Sequence, residues 1–154
     1  MSIPLKFSIR IADWVRDQGA LQAIRREVFV VEQKVPEHEE WDEHDAICRH
    51  VVAESEIGAP IGTGRLIPVG GNSGQVRIGR MAVLKPWRGR GVGAALLLKL
   101  MEMAQNDGYM EIRLHAQTHA LEFYRKHGFT TMGAEFMEAG IPHYEMRLSL
   151  KPEV

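Results

Sequence analysis

The sequence predicts an α+β fold of α/β-like appearance, a mixed sheet flanked by helices. Three observations carry that prediction. Short segments of alternating polarity recur along the whole chain. Helical periodicity is confined to a few stretches between them. One run, Val76 to Ala116, has the order strand, helix, strand of a right-handed parallel crossover. With 154 residues the chain is read as one domain spanning 1–154, long enough for a real core and too short for two ordinary ones.

The first strand is expected over Leu5 to Arg10, with Leu5, Phe7 and Ile9 on one face. Asp13 suits the N-cap of the next helix, Trp14 to Val30. Trp14, Leu21, Ile24, Val28 and Val31 form its apolar stripe, and Arg16, Arg25 and Arg26 take the other faces. The β-branched run around Val28 to Val35 blurs where it ends.

Pro36 opens P-E-H-E-E-W-D-E-H-D, with six carboxylates and two histidines in ten residues. Such a run is costly unless solvated or neutralised by cations. It reads as a solvated loop or short helix. It also reads as a rim of Glu37, Glu39, Glu40, Asp42 and Asp45 around a cationic substrate, with Trp41 as an apolar wall. His38, His44 and His50 match no compact metal-binding spacing, so no metal is expected.

Strands are expected over Ala46 to Glu54 and Pro60 to Pro68, then a loop over residues 69–75, V-G-G-N-S-G-Q. A fourth strand covers Val76 to Leu84, its apolar end Ala82–Leu84 buried on both faces. Pro86 ends it, and Gly89, Gly91 and Gly93 follow at alternate positions where a helix starts. Glycine lets the backbone turn tightly and lets a ligand approach it. Free amides at the helix start, with Arg88 and Arg90 beside them, form a candidate phosphate cradle. It is not the nucleotide-hydrolase loop, which needs a following Gly-Lys-Ser/Thr.

The helix after the hinge carries Val92, Leu96, Lys99, Leu100 and Met103 on one stripe and stops at Asn106-Asp107-Gly108. Met110 to Ala116 alternates as a strand, with His115 on its polar face. A short helix, Ala120 to His127, precedes a strand from Thr130 to about Ala134, a loop from Phe136 to Pro142, and a last strand from His143 to Leu150.

Arg88, Gly91 and Gly93 match Gln/Arg-x-x-Gly-x-Gly/Ala, and Ala120, Phe123, Tyr124, Gly128 and Phe129 match the later half of the same signature. The chain therefore resembles the GNAT acyltransferases, with Gln117 where that family usually has asparagine. Arg25–Gln33, Asp42 with His44-Asp45, Gly64-Arg65-Leu66, Arg77–Val83 and Gly140–His143 resemble its ElaA-type branch.

The resemblance implies a central six- or seven-stranded mixed sheet with a β-bulge and a splay at the cofactor gap. It implies acetyl-CoA as cosubstrate, with no metal, held by Met81, Ala82, Val83, Arg88, Gly89, Arg90, Gly91, Val92, Gly93, Gln117, Phe123 and Tyr124. A backbone N–H near Val83 would polarise the thioester. Transfer to a primary amine, in a small molecule or a peptide, would go by direct attack in a ternary complex, with Tyr124 as general acid. A cationic amine needs a base near neutral pH. His115 is the expected base, with Glu32, Glu39 and His143 competing for that role through a bridging water, and Glu32, Glu39, Trp41 and His143 are expected on the acceptor side.

Composition bounds the alternatives. Nineteen basic against twenty acidic side chains give a net charge of -1, with no basic excess for nucleic acid. Cys48 is the only cysteine, which excludes an intrachain disulfide. The N-terminus has no apolar run of signal-peptide type, and no stretch spans a bilayer, so the expected address is cytoplasmic, without a membrane partner. The resembled family is usually monomeric or homodimeric. The rival readings are a non-catalytic acyl-CoA sensor and a purely structural partner.

Overall fold

The computed structural model describes residues 6–71 and 73–150; Leu5 of the first expected strand and Asn72 of the expected loop lie outside them. Seven strands form one mixed sheet: β1 (Phe7–Ala12), β2 (Arg49–Ser55), β3 (Pro60–Pro68), β4 (Gln75–Val83), β5 (Glu111–Gln117), β6 (Thr130–Glu138) and β7 (Ile141–Ser149). Their spatial order is β1-β2-β3-β4-β5-β7-β6. Only β4 and β5 are parallel, joined by helix α3 (Val92–Asn106), so the expected crossover is the one parallel step in an otherwise antiparallel sheet. Its alternation puts Val76, Ile78, Ile112, Leu114 and Met146 on the face that α3 covers with Leu96, Leu97, Leu100 and Met103.

Helix α1 (Trp14–Arg25) crosses the opposite face, capped by the Asp13 side chain on the Val15 N–H. Leu21 and Ile24 are buried as its stripe requires, but Trp14 is only partly buried and Val31 is half exposed. The helix does not dissolve at the β-branched run. It widens into a π-helical turn over Arg26–Glu32, with Gln33 N–H donating to the Val28 carbonyl at 3.1 Å. Arg25 is only 1% exposed, contrary to its expected outward face.

The acidic segment explains that burial. Its first residues form the short helix α2 (Glu37–Glu40), and it is packed down rather than left in solvent. Arg25 donates to Glu40 and Asp45 at 2.8 Å each, and Arg65 on β3 donates to Asp42 and Asp45 at 2.7 Å. Two buried guanidiniums therefore neutralise three of the six carboxylates. The expected rim of five free acids is corrected accordingly: Glu40, Asp42 and Asp45 fasten the segment to the sheet, and Glu37 pairs with Arg26. Burial raises the Glu40 carboxyl above its ordinary range despite its arginine partners.

The β6–β7 connection also differs from expectation. No long loop separates the strands: β6 runs to Glu138 and turns through Ala139 and Gly140, both at positive φ, directly into β7. Residues 133–135 are accommodated by a register shift between Met132 and Phe136, with Gly133 at φ 73°. The acids of this region thus sit on a strand, at a defined register, instead of on a loose connection.

Candidate functional site

Strands β4 and β5 stop pairing after Ile78 and Leu114, although β4 runs on to Val83 and β5 to Gln117. Their C-terminal halves part and leave a V-shaped opening. A bulge accompanies the splay. Thr63 pairs Ala82 and Arg65 pairs Gly79, so Arg80 and Met81 together face Gly64 alone. Arg80 takes a left-handed φ of 52° there. Gly64 makes room for the bulge, since a Cβ at that position would lie 2.8 Å from Met81 Sδ and 2.9 Å from Leu100 Cδ1. Ala82 is buried as expected, but Val83 and Leu84 are only partly buried because their strand end borders the opening.

A cavity of about 830 Å³ fills this opening. Its walls come from the π-helical turn (Phe29, Gln33), the acidic segment (Glu39, His44), β4 (Arg77 to Val83), β5 (His115, Gln117), Tyr124 on helix α4 (Leu121–Arg125), and the β6–β7 hairpin (Glu138, His143). Such a space can take a pantetheine-sized arm and an acceptor together.

At one end lies the glycine hinge. Gly89 and Gly91 have φ of 74° and 86°, conformations that side chains resist, and nothing occupies the space a Cβ would take at either. Gly91 caps α3 without a side chain, and the first intrahelical bond is Ala95 N–H to the Gly91 carbonyl at 3.0 Å. The amides of Val92, Gly93 and Ala94 therefore have no partner within the helix and head its positive end. Gly93 packs against Phe123, whose ring lies 3.6 Å from where a Cβ would stand, so Phe123 seats the helix start and is not a cavity wall.

The arginines behave differently from one another. Arg88 is already committed, donating Nε to the Val83 carbonyl at 2.9 Å and both terminal nitrogens to Glu32 at 2.9 Å. Arg90 donates Nε to the Pro86 carbonyl at 3.0 Å and is otherwise exposed beside the hinge. Glu32 thus serves the hinge, not the acceptor side where it was expected, and Trp41 lies under the guanidiniums of Arg25 and Arg26, away from the cavity lining.

Tyr124 lines the cavity with its ring edge-on to Phe123 and Phe129, and its hydroxyl has no hydrogen-bond partner among the described residues. Burial pushes the phenol up to about 12. Gln117 exchanges amide hydrogen bonds with Gln33, at 2.9 and 3.4 Å, and accepts one from His119 at 2.7 Å. His115 also lines the cavity, but both ring nitrogens face carboxylates, Nδ1 to Glu138 at 3.0 Å and Nε2 to Glu145 at 2.8 Å. With a carboxylate oxygen against each ring nitrogen, neither nitrogen is open to a substrate. Its expected role as the base is therefore not matched by its geometry.

Gln33, Arg77 and Arg80 join the site without being expected there. Arg80 had a faint signal, the break in β4 alternation at Gly79-Arg80-Met81; the others come together only through the sheet order. Among the described residues no cluster of three or more His, Cys, Asp or Glu could hold a metal ion, and no helix is long and apolar enough to cross a membrane.

Comparison with known proteins converges on one family. Residues 12–150 match the acetyltransferase (GNAT) domain. YyaT of Bacillus subtilis is 40% identical over 126 residues, 80% of this chain and 82% of its own. The N-acetyltransferase YjcF of the same organism is 40% identical over 80% of this chain and 86% of its own. An acyl-CoA N-acyltransferase from Pseudomonas aeruginosa superposes with a TM-score of 0.80 at 31% identity, covering 93% of this chain and 98% of its own. Escherichia coli ElaA does so with a TM-score of 0.80 at 28% identity, covering 93% and 98%.

Proposed function

The chain belongs to the GNAT acetyltransferase family, and from that premise we propose that it moves an acetyl group from acetyl-CoA to a primary amine in a ternary complex at the β4–β5 opening. The observation that carries this is the coincidence of the splay and the β4 bulge on one cavity, with Arg88 of the hinge on its wall and the uncapped start of α3 just beyond it in the chain. We also propose the ElaA-type branch, a reading supported by the motif resemblance and by the superposition with ElaA.

The diphosphate would rest on the amides of Val92, Gly93 and Ala94, with Arg90 beside it and Gly89 and Gly91 allowing the approach. Arg88 acts by holding the hinge rather than the phosphate. The pantetheine arm would run between β4 and β5, where the β4 edge from Gly79 to Val83 is released from pairing with β5. A backbone N–H near Val83 would then face the thioester oxygen, and a fixed amide needs little reorganisation as charge develops there.

Tyr124 is the proposed proton donor to the sulfur. A phenol near 12 is a weaker acid than a thiol at about 8.5, so complete transfer costs about 5 kcal/mol. The hydroxyl therefore works as a strong hydrogen-bond donor while the C–S bond breaks, and it passes on the proton only as the attacking nitrogen replaces it. Glu39 lines the cavity from the acidic segment and, of the five acids expected on the rim, is the one without an arginine partner among the described residues, which suits it to a cationic acceptor.

The test has two arms. Acetyl-CoA should raise the melting temperature of the protein, and a panel of primary amines should release free thiol from acetyl-CoA. Stabilisation without transfer would make the chain a sensor; neither response would remove the proposal.

A further inference from the structure

Four side chains line up from the exposed sheet face into the cavity, alternating carboxylate and imidazole. Glu145 lies 2.8 Å from His115 Nε2, His115 Nδ1 lies 3.0 Å from Glu138 Oε1, and Glu138 Oε2 lies 3.5 Å from His143 Nε2. The far nitrogen of His143 is tied down, with Nδ1 donating to the Ile141 carbonyl at 2.7 Å. That bond fixes the tautomer of the neutral ring: the proton sits on Nδ1 and the lone pair on Nε2. His143 is 6% exposed, stacks on Phe136, and lines the cavity together with Glu138.

The neutral ring therefore sets two acceptors side by side, an imidazole lone pair and a carboxylate oxygen. An N–H donor placed between them reaches both at once. We propose that His143 and Glu138 form the acceptor site, taking an alkylammonium between them, and that His143 Nε2 is the base that removes its proton. This rests on the acetyl-transfer reading above and names the acceptor class and the base within it.

One ammonium proton passes to His143. The freed nitrogen forms its bond to the thioester carbon, and the C–S bond then breaks with its electron pair on sulfur. Of the two protons left on nitrogen, one remains in the amide and one reaches the thiolate by way of Tyr124. His143 returns its proton to solvent. Glu138 opposes the transient imidazolium and is itself held by His115, which makes His115 a positioning residue. The charged and titratable groups around His143 are Glu138 from β6, His115 from β5 and Glu145 on its own strand, which Arg77 of β4 grips; Arg80 of β4 also acts on Glu138, and Glu39 and His44 share the cavity.

The experiment compares wild type with His143→Gln and Glu138→Gln on two acceptors, propylamine, which is cationic at pH 7, and methoxyamine, which is neutral. Acetyl-CoA-dependent thermal stabilisation in each variant serves as the folding control. For His143→Gln, kcat/KM for propylamine should fall about 100-fold at pH 7 and climb with pH toward the amine's own pKa near 10, while methoxyamine loses less than tenfold. Glu138→Gln should raise KM for propylamine about tenfold and leave that for methoxyamine within threefold. An active wild type with His143→Gln within threefold on propylamine, or with equal losses on both amines, overturns the assignment. A wild type that binds acetyl-CoA and acetylates neither amine overturns the transfer reading beneath it. If Glu138→Gln does not fold, the His143→Gln comparison alone decides.

Discussion

Glu32 holds both terminal nitrogens of Arg88 at 2.9 Å, joining the π-helical turn to the glycine hinge across 56 residues of sequence. Arg88 in turn fixes the Val83 carbonyl, so one guanidinium ties together the β4 end, the hinge and the widened helix. A motif arginine expected to attract phosphate is spent on holding the shape of the loop that would bind it.

Removing that carboxylate charge separates the two roles. Glu32→Gln keeps an acceptor for Arg88 and takes a negative charge from beside the diphosphate site. Acetyl-CoA should bind up to about fivefold tighter at low ionic strength, and the gain should shrink as salt is added. Titration calorimetry across a salt series measures it; weaker binding at every salt concentration would show that Glu32 is needed for geometry above all.

Gly64 should tolerate no side chain. Gly64→Ala places a methyl within 2.9 Å of both Met81 and Leu100, the second of which is fully buried in the core. Overpacking of this kind costs about 1–3 kcal/mol, visible as a lower denaturation midpoint. Because Met81 sits in the bulge, acetyl transfer should fall by more than the stability loss explains. A variant of unchanged stability and activity would mean that the bulge is free to shift.

The arginine-bound acids predict the acid limb of stability. Burial pushes the Asp42 carboxyl up, but hydrogen bonding to Arg65 outweighs it and holds the group well below the usual carboxylate range. A depressed carboxyl stabilises the fold fully above its unfolded pKa of about 3.9 and loses that contribution as pH falls through the folded value. Unfolding below about pH 4 should therefore begin with release of the acidic segment. Arg65→Ala, which removes the bidentate partner of Asp42 and leaves Asp45 with Arg25 alone, should cost about 3–5 kcal/mol at pH 7, and the gap from wild type should narrow as Asp42 protonates. A constant gap between pH 7 and 3 would contradict this.

Much of the fold was legible because α3 and β5, and β4 as far as its bulge, each obey a single period that their sequences carry openly. The acidic segment was not, since its neutralising cations, Arg25 and Arg65, lie 15 to 23 residues away and are buried by tertiary contacts. The glycines and Tyr124 of the candidate site stood out as local pattern. Of its acceptor wall, Glu39 and His143 were expected, but the meeting of Glu138 with His143 was not legible: it depends on a tight turn at Ala139-Gly140, and Ala139 is a residue that seldom adopts positive φ.

Replacing the Tyr124 hydroxyl tests the chemistry without disturbing its ring packing. Tyr124→Phe should bind acetyl-CoA within about threefold of wild type and lose about 100-fold or more in kcat when chemistry limits the rate. Undiminished turnover would remove Tyr124 from the reaction.

A crystal structure with acetyl-CoA bears most directly on the whole account. It should show the diphosphate on the amides of Val92 to Ala94, the thioester oxygen at the β4 edge near Val83, and the sulfur within hydrogen-bond reach of Tyr124. A cosubstrate bound elsewhere on the sheet, or a thioester pointing away from the β4–β5 opening, would contradict it.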